Sequence, residues 1–376
     1  MNHAHPIGPI RVCFVMPKAY PLFNPALPAL FGGSEVDLYY LATELARNPD
    51  FAVSFVVADY GQPDREVREG VTLIKSLRLR QNALAGAARL WRALERADAD
   101  FYLTKTFSPG VPLIAWFCRR RQRRFAYRSA NEHEYDGRYL RDHPLLGRAF
   151  AWALRRAEVL FAQNAQDGEN LRGTLGIAAE VIPNGHRLPQ LTNAARHHIL
   201  WVGRSAEIKR PREFLALAGA YPAESFVMIC PRATGAPGYQ RLRAAARGAH
   251  NLEFIEHVPF HQVQRYFDQA KMLVNTSDAE GFANTFIQAG AAATPILSLR
   301  VNPDGFLDRH GCGLCAGGDW QVFRRHFERL LDPAVAADLG RRARDYVEQH
   351  HDIAALIQRY QEVFRRHHDH SRPAHH

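Results

Sequence analysis

Between positions 275 and 290 the chain reads NTSDAEGFANTFIQAG, which sets a carboxylate, Glu280, and an amide, Gln288, eight positions apart around a Gly-Phe-Ala-Asn segment. The small polar residues after the strand-like MLVNTS leave Glu280 in a loop, where a carboxylate can accept hydrogen bonds from a ligand. A helix starting near Asn284 turns its first unpaired amides outward, a backbone anion site, and Gln288 falls about one turn inside it. Upstream, Arg204 and Lys209 follow the strand-like ILWVG. Two cations at a strand end can neutralise a diphosphate and the charge that develops on it, with a solvated loop as the competing reading. The glycines of FGGSE, Gly32 and Gly33, let the backbone approach a ligand before a helix opens near Ser34, which can cap it while Asp37 adds charge to the first turn. A plain turn and cap is the alternative. RSANEHEYDGRY carries His133 among acids, either an active-site contact or a solvated histidine. A metal held by Glu132, His133, Glu134 and Asp136 is disfavoured, because four adjacent groups cannot all face one ion.

These side chains need elements to hold them, and the chain alternates short β-branched or aromatic runs with longer helical patterns. The strand candidates are IRVCFVMP, FAVSFVVAD, VTLIKSL, FYLTKT, FAYRSA and VLFAQN, then HILWVGR, SFVMICP, LEFIEHV, MLVNTS and PILSLR. Stretches such as VDLYYLATELARN between them place apolar residues at helical spacing. Such alternation implies parallel sheets covered on both faces, an α/β class. The pattern starts afresh at His198 after an aperiodic polar segment containing Pro189, which places a linker near 186–197. Two doubly wound domains facing across a cleft are expected, with ligands at the carboxyl ends of their strands. A helical pattern runs from Ala334 to about Arg366, and a polar, disordered tail is expected over 367–376.

At 376 residues and 47% hydrophobic content the chain can bury two medium cores. It contains no apolar run long enough to span a bilayer, and its N-terminal residues lack the order of a secretory signal, so a cytoplasmic location is expected. Its five cysteines suit reduced core thiols rather than a disulfide framework. The formal charge of +10 comes from helix-face clusters such as CRRRQRR, read as a solvated face or as a patch for an anionic membrane surface. No basic and aromatic interleaving of a nucleic-acid module is present, so no nucleic acid is expected as partner. GCGLCA at 311–316 spells a dinucleotide fingerprint and a C-x-x-C, but no long helix follows it and no second ligand pair stands nearby.

VIPNG at 181–185, ILWVGRSAEIKRP at 199–211, NTSDAEGFANTFIQAGAAATPILSL at 275–299 and GGSE at 32–35 together resemble, in order and spacing, the retaining glycosyltransferases of the GT4 type with a GT-B fold. The resemblance implies residues 1–190 as an acceptor-side Rossmann-like domain rejoined by a C-terminal helix at about 352–366, and 191–351 as the nucleotide-sugar domain. It implies Arg204 and Lys209 on the donor diphosphate, Glu280 on the sugar hydroxyls, and Gln288, usually Glu in the family, on the ribose. Gly281, Phe282, Ala283, Asn284 and Thr285 would line the donor site, Val258 would lie near the base, and Gly32, Gly33 and His133 near the sugar and acceptor. The implied activity is metal-independent, retaining hexosyl transfer from a nucleotide-sugar to a glycan, lipid-linked or small-molecule acceptor, without a cofactor. Bacterial surface polysaccharide or lipopolysaccharide assembly is the implied setting, peripheral to the inner face of the membrane. A nucleotide-sugar-binding pseudoenzyme and a sugar-nucleotide epimerase of the same fold stay open as alternatives.

Overall fold

The computed structural model describes residues 8–27, 31–130, 134, 137–233, 235 and 238–369. They divide into two units, one made of the chain up to Arg187 together with that from Ile353 on, the other of Leu188–Asp352. Among the described residues of the first, β1 (Ile10–Val15), β2 (Phe51–Val57), β3 (Arg65–Arg68), β4 (Val71–Lys75), β5 (Phe101–Lys105), β6 (Arg124–Arg128), β7 (Val159–Ala162) and β8 (Glu180–Val181) form a sheet ordered β3-β4-β2-β1-β5-β6-β7-β8. Every neighbouring pair is parallel except β3 with β4. The near-continuous apolar runs of the central strands are what a sheet buried on both faces requires.

β3 and β8 lie outside the strands expected from the sequence. β3 reads Arg-Glu-Val-Arg and none of it is buried, so no apolar run marks it. It is set by its turn. Glu69 and Gly70 hold φ of 50° and 77°, the left-handed pair of a two-residue hairpin whose twist matches the strands. The helix Ile353–Asp369 returns to this unit and reaches three residues into the expected disordered tail, its Phe364 ring 5.1 Å from Phe101. It can approach because residue 185 is glycine: a Cβ there would stand 2.5 Å from the Ile353 side chain.

In the second unit β9 (His198–Val202), β10 (Phe226–Ile229), β11 (Leu252–Ile255), β12 (Ala270–Asn275), β13 (Ile296–Ser298) and β14 (Gly313–Cys315) form an all-parallel sheet ordered β11-β10-β9-β12-β13-β14. The fingerprint-like GCGLCA is edge strand β14, and Gly313 is glycine because a Cβ would meet the Ile296 carbonyl at 2.5 Å. The two thiols of its C-x-x-C are free, and burial pushes that of Cys312 up to about 12. Below the sheet the helix Asn284–Ala291 packs on Pro333–His350 at Gly290, where a Cβ would collide with Val347 and stand 2.8 Å from the Ala343 carbonyl.

Candidate active site

In the second sheet the chain runs outward from β9 in one direction and from β12 in the other, so these neighbours flank the point where a doubly wound sheet opens a crevice at its carboxyl end. The loop after β9 carries Arg204 and Lys209; the loop after β12 carries Glu280. The tertiary structure ties the two loops together. Thr276, at the end of β12, accepts from the Trp201 indole at 2.9 Å and donates to the Lys209 carbonyl at 2.7 Å. The Asp278 amide donates to the Ile208 carbonyl at 2.9 Å. Between them, Arg210 takes a left-handed φ of 46° immediately before Pro211, a backbone cost accepted only where surrounding contacts impose it. Its guanidinium pairs with Glu213 and, at 3.1 Å, with Asp278.

This bracing brings the Lys209 ammonium onto the Glu280 carboxylate as an ion pair, with both side chains about four-fifths buried. Ser277 donates to the same carboxylate oxygen at 2.9 Å. Arg204, on the same loop, is exposed and makes no ion pair among the described residues. The helix Asn284–Ala291 starts four residues beyond Glu280 with no side-chain cap at Ala283. Gly281, Phe282 and Ala283 are buried, while Asn284, Thr285 and Gln288 are half-buried along its first turn and a half. The Phe282 ring is committed to the core, 4.5 Å from the His351 ring and 5.0 Å from Phe306. Val258 is half-buried and packs on the same core. At the other end of this helix Arg344 donates to the Ala291 carbonyl and Arg196 to those of Ala292 and Ala293, so two cations face the negative end of its dipole.

The first unit has its own switch point, between β1 and β5. Here the structure corrects two expectations. The helix Gly33–Leu45 has Gly32 as its N-cap, and Ser34 does not cap it. The Gly32 amide donates to Glu35 at 2.8 Å, and the Ser34 hydroxyl accepts from Thr106 at 2.6 Å instead. Asp37 is a buried counter-ion rather than a solvated first-turn acid: its carboxylate accepts from Lys105 at 2.8 Å and from Arg128 at 2.6 Å. Asn184 of the VIPNG stretch accepts from both cations, at 3.2 and 2.8 Å. Burial works against the Asp37 charge, but Arg128 and Lys105 outweigh it and hold the carboxyl at about 2. One carboxylate cannot fully serve two cations, and burial lowers Lys105 to about 8. The sequence signal for this cluster was a cation closing each of two adjacent apolar strands, FYLTK and FAYR, each needing a partner.

Beside the cluster, Glu134 is buried and accepts from the Tyr127 hydroxyl at 2.7 Å and from the Phe107 and Ala130 amides at 3.1 and 3.2 Å. Burial raises its carboxyl to about 7 against these bonds. His133 lies outside the described residues, as do Glu132 and Asp136. Among the described residues no cluster of three or more His, Cys, Asp or Glu could hold a metal ion.

The Glycosyltransferase Family 4 model matches residues 31–188, and the model for Glycosyl transferases group 1 matches residues 196–333. No curated protein matches the sequence significantly. Among solved structures, sucrose-phosphate synthase from Thermosynechococcus elongatus superposes with a TM-score of 0.79 at 17% identity, over 96% of this chain and 100% of its own. A TarM variant of S. aureus, solved with fondaparinux, α-GlcNAc-glycerol and UDP, gives 0.74 at 10% identity, over 94% and 99%. The trehalose-6-phosphate protein of E. coli bound with UDP-2-fluoro glucose gives 0.69 at 14%, over 94% and 98%. With one family model over most of each α/β unit and this fold shared along the chain, the protein belongs to the GT4-type glycosyltransferases and has a GT-B fold.

Proposed function

We propose that the chain transfers a hexosyl group from a nucleotide-sugar to an acceptor with retention of anomeric configuration. The observation that carries this is the braced pair of loops after β9 and β12, which sets Lys209 and Glu280 just before the start of the helix Asn284–Ala291. The donor diphosphate takes Lys209 and Arg204 as counter-charges, with the helix-end amides completing its cradle. Glu280, released from Lys209, accepts from hydroxyls of the sugar. The ion pair thus holds each partner in place until the donor separates them. Gln288 reaches the ribose. Phe282 and Val258 act through the backbone they anchor. As the glycosidic bond breaks, its electron pair stays on the leaving phosphate, which Lys209 and Arg204 stabilise and which accepts the acceptor hydroxyl proton on the same face of the sugar. Gly32 and Gly33 contribute backbone on the acceptor side, and His133 a contact to the sugar or acceptor.

The UDP and UDP-2-fluoro glucose bound to the neighbours support a nucleotide-diphosphate sugar as donor. The cationic pair supplies what a divalent ion supplies elsewhere, so turnover is metal-independent. Surface polysaccharide or lipopolysaccharide assembly in the bacterial cytoplasm is the proposed setting, supported by an amphipathic face of the first unit. Trp116, Leu145 and Leu146 are exposed at 47%, 81% and 46% on helices that carry the exposed Arg119, Arg120 and Arg148. No helix among the described residues is long and apolar enough to cross a membrane, and this face suits peripheral attachment to anionic lipid. Incubation with a panel of nucleotide-sugars and acceptors in excess EDTA tests the reading: release of nucleoside diphosphate with an α-linked product from an α-linked donor is expected. An inverted product, or activity that returns only with Mg or Mn, overturns the mechanism. Gln288 favours one other reading, a donor-binding pseudoenzyme, marked by tight donor binding without turnover on any acceptor.

A further inference from the structure

A cavity of about 660 Å³ lies in the first unit between the chain leaving β4 and the helix Ala83–Ala97. Five of its lining side chains are cations (Lys75, Arg78, Arg89, Arg92 and Arg96) and three are carboxylates, a formal excess of two positive charges. The carboxylates are already engaged. Asp64 lies 2.8 Å from Lys75 and 3.8 Å from Arg96, and Asp59 lies 3.0 Å from Arg78. Glu95 pairs with Arg121, which does not line the cavity, and accepts from the Trp91 indole at 3.0 Å.

Arg89 and Arg92 are therefore left without an acid. Arg89 is held by a neutral group, donating to the Gln81 side-chain oxygen at 2.8 Å, so it is oriented without losing its charge. Gly86 makes room for that contact, since a Cβ there would stand 3.1 Å from the Gln81 amide nitrogen. Arg92 is exposed and has no hydrogen bond or ion pair among the described residues. Three positions apart on one helix, the two guanidiniums share a face, with Cβ atoms about 5–6 Å apart.

We infer that this groove binds a phosphate-bearing small ligand or headgroup, seated on Arg89 and Arg92. Two planar forks side by side match the several oxygens of one phosphate, whose charge of about −1.5 to −2 balances the local excess. A carboxylate would answer only one of the forks. The cavity falls in the size range of small-molecule sites, about 300–1,000 Å³. The groove belongs to the first unit and the loops after β9 and β12 to the second, and the inference does not depend on the donor site proposed there.

The test uses the full chain, calorimetry with inorganic pyrophosphate and with a hexose 6-phosphate, and sedimentation with vesicles of phosphatidic acid or phosphatidylcholine. Arg89→Gln with Arg92→Gln removes both forks, and Arg92→Glu reverses one exposed charge, with the thermal midpoint of each checked first. About tenfold or greater weakening of hexose 6-phosphate binding in both arginine variants is expected, with Lys209→Ala weakening only the pyrophosphate that the donor loops would also hold; tenfold corresponds to about 1.4 kcal/mol. If only the soluble ligands bind in this manner the natural ligand is a free phosphate ester. If phosphatidic acid vesicles bind and the variants release them, while phosphatidylcholine does not bind, it is a headgroup. Hexose 6-phosphate binding lost in Lys209→Ala but kept in the arginine variants assigns the anion to the other site and overturns the inference, as does no binding by wild type.

Discussion

Lys209 and Glu280 meet as an ion pair, so each side chain has to change partner when a donor arrives. Lys209→Ala should lower kcat/KM by about 2 to 4 kcal/mol of transition-state stabilisation, the size found for one preorganised contact to developing charge. Its loop is held by Thr276 and by main-chain bonds, so the fold should survive; an unchanged kcat/KM removes Lys209 from the site. Glu280 and Gln288 should fail differently. Glu280→Ala loses sugar positioning and with it orders of magnitude in rate, while bare nucleoside diphosphate binds at least as well because Lys209 is released. Gln288→Ala should weaken the bare diphosphate by about 0.5 to 1.5 kcal/mol, and Gln288→Glu should be tolerated, since a carboxylate can accept from two ribose hydroxyls. Calorimetry separates the two, and equal losses in both alanine variants would end this division of labour. Glu134 provides a pH signature. Its folded carboxyl titrates near 7, above its ordinary 4.5, so the folded state binds the extra proton between those values. Its contribution to stability is complete below about 4.5 and is lost as pH rises through about 7. Wild type should therefore lose about 2 to 4 kcal/mol relative to Glu134→Gln between pH 4.5 and pH 8 in urea unfolding, and parallel profiles would contradict the burial argument.

At the scale of elements, the helix Asn284–Ala291 is only two turns long, too short to be stable by itself. Its far end is closed by Arg196 and Arg344, and its flank lies on the helix Pro333–His350 through Gly290 and Gly340, the second of which faces the Ala293 carbonyl. Overpacking either contact moves the helix whose start forms the proposed anion cradle. Gly340→Ala should destabilise the protein by about 1 to 3 kcal/mol or more, since the obstructing atom is a backbone carbonyl. Donor affinity should fall with it although residue 340 touches no ligand. Wild-type stability and affinity in this variant would show that the two helices can separate at little cost.

At the scale of the whole molecule, both units are built on apolar cores, and the first adds a buried charge cluster. The second has an apolar centre into which Phe282 and the site helix are packed, whereas the first carries a three-charge cluster, Asp37, Lys105 and Arg128, at the carboxyl ends of β5 and β6. Removing the single anion leaves two buried cations facing each other. Asp37→Asn, which keeps the shape, should cost about 3 to 5 kcal/mol in denaturant unfolding, and a loss below about 1 kcal/mol would mean that the cations find water instead. The sequence by itself determined the fold class, because parallel strands buried on both faces must be written as apolar runs, and the central strands of both sheets are so written. β3, β8 and β14 were not legible: they are short edge strands, two of them without an apolar run, paired through turns and neighbours rather than through burial. The spacing also placed Arg204, Lys209, Glu280 and Gln288 on loops and a helix after particular strands, since loop and helix positions follow from local pattern. Only the tertiary structure joined Lys209 to Glu280, turned Asp37 inward to two strand ends, and left Arg89 and Arg92 without an acid. Those pairings link residues 71, 68 and 91 positions apart, or turn on which acids lie near in space. Charge neutralisation acts through distance in three dimensions, which sequence separation does not encode.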